Sequence, residues 1–550
     1  MENQIIPLSS AVSTSVFILT FLLVGVPLWW KTTEVYRCDV PHHECQQLLD
    51  EPIIHTIPVK LMLADQNIQQ GVLWEELLHS SKEFEKAFDQ PIIKFHWTMS
   101  IITNGEKKLL NQYTKISDLD AVLNRLEEDD GSNNLLRSYD ELKILVLPQN
   151  YSKGPKFCLG VERYGYVLNT DSEVEHLVHN ILSLVKKMTQ VERLRKLYTP
   201  PSSNSQDMKP DKDRMRSLKS SVSFDITFSL IVPEPQILDV HWNIQNAIDA
   251  YMKQYLEELK IMLKINIKSQ ILYMTSLPLP TQLPMSDDGK EFILNSDLLP
   301  SIINPIEARL GTETSVHSNL NFVIYIPTEK QMPLQIYDPN GKPLKSNAFL
   351  LPQWGGFLIY NCLVPENTSL PYEVHLNQKA FMEVFLAQFR LLLGLPDISD
   401  LVDDTCQMLP SLTFRKWEID FLLRKNTQEH LTAAALSLSS LSKLLQTIGN
   451  IVIKDEVGEK IYFALASSKD SFNYLSEGFL KEGFLKAKTA FISSDEAFFD
   501  PSLLALLYFP EDQKYAIYIP LFLPISIPVA SSVFRLWKFY KNYKGKQKTD

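Results

Sequence analysis

Positive charge, cysteine and catalytic signatures are all scarce in this chain. Lysine and arginine number 54 against 65 aspartates and glutamates, a net charge of −11 in 550 residues, which argues against nucleic acid as a partner. Cysteine is limited to Cys38, Cys45, Cys158, Cys362 and Cys406, a sparse and odd set, so at least one thiol stays free or pairs outside the chain. Cys38 and Cys45 are near enough in sequence to close a short ring. There is no G-x-S-x-G elbow, no phosphate loop and no dinucleotide-binding glycine fingerprint. HHEC (His42 to Cys45) has the composition of a metal site but no second ligand pair at zinc-like spacing, and it reads as a solvated or interfacial turn. His96, His176, His241 and His430 are isolated and read as surface or satisfied core residues. No catalytic, cofactor-binding or metal-binding residue is assigned.

Long apolar runs are limited to two. Ala11 to Trp30 carries no charge, has no basic segment before it and ends in a tryptophan pair, which favours a retained transmembrane helix over a cleaved signal peptide. From about Tyr515 to Trp537 only Arg535 is charged, and roughly 20 apolar residues span a hydrocarbon core of about 30 Å, so a second transmembrane helix is expected. Pro520, Pro524 and Pro528 recur every fourth residue along one face, where each removes a helix hydrogen bond. That face is expected to pack against a neighbouring membrane helix, the alternative being a kinked helix facing lipid. Arg535, Lys538, Lys541, Lys544, Lys546 and Lys548 make a basic tail of the cytosolic kind, although Lys31 and Arg37 fit that topology less well.

The remainder is rich enough in apolar residues, 45% hydrophobic overall with 22% charged, for one large or two medium folded domains. The expected fold class is mixed α/β: a large lumenal domain with a mixed β-sheet and flanking helices, a helical stalk and the two transmembrane helices. The boundaries read from the sequence are a cytosolic N-terminus over 1–10, a first span over 11–30, a lumenal α/β domain over 31–411, a membrane-proximal helical stalk over 412–514, a second span over 515–537 and a basic cytosolic tail over 538–550. Sequons at Asn150 and Asn367 agree with a lumenal or extracellular body as glycosylation sites. Strands are expected at Ile57 to Leu63, Pro91 to Thr103, Lys143 to Pro148, Cys158 to Leu168, Ser221 to Pro235, Gln270 to Met274, Asn321 to Pro327 and Trp354 to Asn361. Helical spacing of apolar residues marks Val174 to Leu194, Ile244 to Met262, Phe381 to Pro396, Leu431 to Ile448, Val457 to Leu475 and Phe484 to Ala497. A Pro-, Ser- and charge-rich stretch, about 200–217, reads as a flexible linker that divides two lobes or interrupts one. Asp500 with Pro501 behind it can start a short helix.

GVPLWWKTTEVYR, SLKSSVSFDITFSL, SDLLPSIINPIEARLG, MEVFLAQFRLLLG, NIVIKDEV and FFDPSLLALLYFPEDQKYAIYIPLFLP resemble blocks of the phosphatidylinositol-glycan class S (PIG-S) family, and they are spread over nearly the full length. The resemblance implies a non-catalytic structural subunit of the endoplasmic-reticulum GPI-anchor transamidase, an enzyme that attaches preformed GPI to the carboxy terminus of proproteins. It implies PIG-K, PIG-T, PIG-U and the GPI-anchor attachment protein as partners, PIG-K being catalytic, and two spans in the endoplasmic-reticulum membrane with both termini cytosolic. Lys546 and Lys548, fifth and third from the end, resemble a dilysine retrieval signal. A lumenal module that recognises the GPI glycolipid or the proprotein signal is the alternative. A membrane-anchored hydrolase is a third reading.

Overall fold

The computed structural model describes residues 8–25, 27–28, 31, 36–64, 68–86, 92–102, 108, 110, 112–113, 115–130, 141–148, 156–169, 173–198, 217–219, 221–279, 283–286, 289–311, 317–365, 368–448, 451–504 and 511–546. The chain forms two compact units. One comprises Met1–Glu51, Thr432–Ser468 and Thr489–Asp550, the other Pro52–Leu431 and Lys469–Lys488.

The larger unit is α/β. Its strands in chain order are β1 (Ile54–Leu63), β2 (Ile92–Ile101), β3 (Leu142–Pro148), β4 (Phe157–Leu159), β5 (Tyr164–Asn169), β6 (Ser223–Val232), β7 (Leu238–His241), β8 (Lys264–Tyr273), β9 (Phe292–Asn295), β10 (Ser318–Tyr325), β11 (Leu334–Tyr337), β12 (Ala348–Leu351), β13 (Gly355–Ile359), β14 (Tyr372–His375) and β15 (Cys406–Met408). Six form a sheet in the order β15-β4-β5-β3-β1-β2, and five a second sheet in the order β12-β13-β10-β6-β8. Each sheet is parallel except for one antiparallel pair, β4 with β5 and β12 with β13. The mixed α/β expectation therefore holds.

The two sheets are built by the same path of the chain. In the first half β1, a helix (Gln70–Lys86), β2, a helix (Ile116–Asp130), β3, the β4/β5 pair and a helix (Val174–Thr189) follow one another. In the second half β6, helical turns from Ile244 to Leu259, β8, a helix (Leu299–Leu310), β10, the β12/β13 pair and a helix (Gln378–Leu393) do the same. The spatial orders β2-β1-β3-β5-β4 and β8-β6-β10-β13-β12 are equivalent position by position. The second half carries additions, the two-stranded sheets β11/β9 and β14/β7. Of the linker expected at about 200–217, only Ser217 lies within the described residues.

Alternation along the strands decides which face is buried. On β6, Phe224, Ile226, Phe228 and Leu230 pack with Phe322 and Ile324 of β10 and with Phe381, Phe385 and Phe389 of the helix Gln378–Leu393. In the first half, Ile181, Leu184, Val185 and Met188 of Val174–Thr189 cover Ile144, Val146 and Val167. The glycine pair that opens β13 is demanded by close approach. A Cβ on Gly355, whose φ is +144°, would lie 1.8 Å from the Asn321 carbonyl oxygen, and one on Gly356 would lie 1.9 Å from Gln388 Oε1. The single strand expected from Cys158 to Leu168 is instead two, β4 and β5, paired with Cys158 opposite Tyr166. The chain reverses over residues 160–163, where Gly160 N donates to the Tyr164 carbonyl at 2.9 Å.

The smaller unit is mainly helical, with parts of the helices Lys416–Thr447, Asp455–Glu477 and Leu480–Phe498. Asp500 starts the helix Pro501–Leu504 as expected, its carboxylate accepting from Ser502 N at 3.0 Å. Among the described residues no helix is long and apolar enough to cross a membrane, so the two expected transmembrane helices are not supported. The first apolar run forms a helix of only 13 residues (Leu8–Thr20), about 20 Å long, before passing into a π-helical turn (Phe21–Gly25). The last helix, Glu511–Lys546, has 36 residues, but Pro520, Pro524, Pro528 and several serines interrupt its apolar stretch and charge occupies both ends.

Candidate functional site: a charged junction between the two halves

The helix Lys416–Thr447 begins inside the larger unit, and its first turns carry an unusual load of buried charge. Glu418 is fully buried, and its carboxylate takes a two-pronged hydrogen bond from Arg390 of the second half, at 2.6 and 3.1 Å. Arg415 N donates to the same carboxylate at 2.9 Å, and the Arg415 guanidinium lies 3.6 Å from it. Burial pushes the Arg415 pKa down, while the Glu418 charge works the other way. Two residues along, and so about 200° around the helix, Asp420 receives a bidentate pair from Arg163 of the first half, at 2.7 and 2.8 Å. Lys416 Nζ reaches both oxygens of Glu258 in the second half at 2.9 Å. The helix start thus holds one half through Glu418 and Lys416 and the other through Asp420.

The receiving surface in the first half is the β4/β5 turn. Trp417 Nε1 donates to the Gly160 carbonyl at 3.0 Å, and Lys416 N to that of Val161 at 3.1 Å. Asp120 supports the turn from beneath, accepting from Val161 N at 3.2 Å and from the Tyr166 hydroxyl at 2.8 Å. A Cβ on Gly160 would lie 2.5 Å from Asp120 Oδ1, so the carboxylate occupies the space a side chain would need. Burial, followed by the Asp120 charge, raises the Tyr166 pKa well above its ordinary value.

Further along the helix, Lys425 borders a small apolar pocket with Leu218, Phe224, Leu263 and Leu393. Its ammonium donates to the Leu393 carbonyl at 3.0 Å and the Leu218 carbonyl at 3.4 Å, at the C-terminus of the helix Gln378–Leu393, where positive charge is favoured. Burial lowers its pKa. Gln428 meets His55 Nε2 at 3.3 Å, and burial takes the His55 pKa down to about 4. His430, against Phe484, is likewise taken down to about 4 by burial. These groups are arranged to hold backbone and side chains in place. Among the described residues no group of three or more His, Cys, Asp and Glu side chains could hold a metal ion.

The residues singled out in the sequence lie elsewhere. Pro520, Pro524 and Pro528 are exposed within the last helix. Asn150, Asn367 and Lys548 lie outside the described residues, as does the Lys546 side chain. HHEC opens a short helix (His42–Gln47), in which His42 Nδ1 meets Ser442 Oγ at 2.9 Å and Cys45 is buried, its pKa raised to about 11 by burial. All five cysteines are free thiols, so Cys38 and Cys45 close no ring here. His96 and His176 are exposed and His430 is buried. His241 is exposed and stacks on His375 of the neighbouring strand, ring centroids 5.2 Å apart. The charged junction itself had no sequence signal that could separate buried ions from surface ions.

The family profile described as Phosphatidylinositol-glycan biosynthesis class S protein matches residues 16–543. A bovine (Bos taurus) protein named GPI-anchor transamidase component PIGS is 33% identical over 97% of this chain and 96% of its own. The human (Homo sapiens) protein of the same name is 33% identical over the same shares. A fission yeast (Schizosaccharomyces pombe) protein named GPI transamidase component PIG-S homolog is 26% identical over 91% of this chain and 79% of its own. With near full-length agreement of both kinds, the chain belongs to the PIG-S family.

Proposed function

We propose that this chain is a structural subunit of the GPI-anchor transamidase, supporting attachment of preformed GPI to the carboxy terminus of proproteins. The observation that carries this reading is the nearly full-length match to relatives named as components of that enzyme. The charged junction fits a positional role: its acids and bases are spent on each other and on backbone carbonyls. In this reading the catalytic residues belong to PIG-K, and PIG-T, PIG-U and the GPI-anchor attachment protein complete the assembly. Residence in the endoplasmic reticulum with the α/β unit on the lumenal side, glycans at Asn150 and Asn367, and retrieval through Lys546 and Lys548 are parts of the same proposal. The test is removal of the chain from cells, followed by assay of anchor transfer and of the bound protease-like subunit. Uncleaved proproteins should accumulate and recover on re-expression. Normal anchor transfer without the chain would refute the reading.

A further inference from the structure

We infer that β8 is the docking edge for an extended strand of another transamidase subunit, a strand with apolar residues at alternate positions and acidic or polar residues between them. The inference rests on the subunit reading above, and it starts from hydrogen-bond parity. β8 ends the five-stranded sheet and pairs only with β6. Lys264 N donates to the Val222 carbonyl and Met274 N to the Val232 carbonyl, so the even-numbered residues turn their backbone groups toward β6. The odd-numbered residues Ile265, Ile267, Ser269 and Ile271 consequently turn theirs outward. Tyr273 is closed off, its carbonyl accepting from the Thr275 hydroxyl at 3.3 Å. Ten residues of straight edge is a long template for another strand.

The internal duplication supplies the comparison. β2 occupies the equivalent edge of the first sheet and is also ten residues long. There Glu85 reaches over and takes the Phe95 backbone N–H at 2.7 Å, and Ser81 takes the Trp97 indole N–H at 2.8 Å, so the helix Gln70–Lys86 covers that edge. Among the described residues no such contact is made to the outward backbone groups of Ile265, Ile267, Ser269 or Ile271. β8 also contains no proline. Lys268, which could guard the edge, is drawn over the sheet face to Asp225 at 2.6 Å.

The chemistry of the partner follows from the side chains. Ile265 and Ile267 extend the core on one face, and Ile271, Tyr273 and Met274 stand exposed at the end of the strand. The other face presents Asn266, Lys268 and Gln270 in a polar row with Asp225 and Ser229. A strand laid alongside would continue the apolar row with every second side chain and meet Lys264 and the polar row of Asn266 and Gln270 with the others. Lys264, exposed at the start of the edge, suits an acidic position on the partner there, while Lys268 is already balanced by Asp225.

The test is hydrogen–deuterium exchange of the full-length chain, isolated and within the purified transamidase, read over residues 264–274. The outward amides should exchange freely in the isolated chain and slow by about 100-fold in the complex, the inward amides being protected in both. Ser269→Pro removes one outward N–H and no ladder bond to β6. It should melt like the parent chain yet be recovered with the complex about tenfold less. Ile271→Lys, which leaves the backbone alone, should act in the same direction. If the chain enters the complex while the outward amides stay open, or if both variants assemble normally, the edge proposal fails and the subunit reading stands. If the chain enters no transamidase at all, both fail. Protection already present in the isolated chain, or gained on its self-association, would also overturn the assignment.

Discussion

Replacing Glu418 by Gln should be among the most damaging single changes in the larger unit. The substitution keeps the volume and removes the charge that Arg390 and Arg415 share. Both guanidiniums are under 10% exposed, at 9% and 6%, and the Glu418 side chain at 0%. Breaking a buried ion pair by removing one partner costs about 3–5 kcal/mol, because the remaining charge is left desolvated. Here two charges are left, so the upper part of that range is expected. Arg390→Met should cost less, since Arg415 still balances Glu418. The double variant Glu418→Gln with Arg390→Met should be less destabilised than the sum of the two, a coupling of at least about 1 kcal/mol. Urea denaturation followed by tryptophan fluorescence suits the measurement, since Trp417 is buried beside the pair. A loss below about 1 kcal/mol for Glu418→Gln, the range of an exposed pair, would refute the argument.

Three further outcomes follow from the packing. Gly356→Ala should destabilise by roughly 1–3 kcal/mol through overpacking against Gln388, and Gln388→Ala should recover part of that in the same denaturation assay. His55 and His430, both taken from 6.5 down to about 4 by burial, stay neutral in the folded protein while the unfolded chain takes up protons. Stability is therefore undiminished above about pH 6.5, falls as pH drops toward 4, and is lower by about 2 kcal/mol per histidine at pH 5. His55→Gln should flatten that slope between pH 6.5 and 5, and an unchanged slope would contradict the assignment. A maleimide probe on the native chain should modify Cys38, the one cysteine that is not buried, and reach the other four only after denaturation.

Much of the α/β unit was legible because its elements bury one face. The three-and-four spacing from Val174 marks a helix that buries Leu177, Ile181, Leu184 and Met188 of that stripe, although the chain turns at Gln190 and a second helix, Val191–Tyr198, carries the rest. Lys143 to Pro148 is almost continuously apolar because both faces of β3 are covered. β8 was only half legible: its end was expected from Gln270, while KINIKSQ reads as polar because an edge strand needs less apolar surface. The start of the helix at Lys416 was hidden for a related reason. Glu418, Asp420, Arg424 and Lys425 look like a solvated stretch, and only the distant Arg163, Arg390 and Leu393 turn them into core. The duplicated path of the chain was invisible because it resides in connectivity, which no residue spacing records. The first apolar run falls short as a span because its α-helix lasts only 13 residues before a π-helical turn, and the last because prolines and serines dilute the apolar stretch of an otherwise long helix.

The pairing of Arg163 with Asp420 and of Arg390 with Glu418 also has a consequence in time. Synthesis delivers Arg163 first, Arg390 second and both acids last. A growing chain therefore completes the strands of both halves before it possesses the two carboxylates that the guanidiniums require. Any product that ends before residue 416 presents two halves whose mating surfaces each hold an arginine with its acid missing.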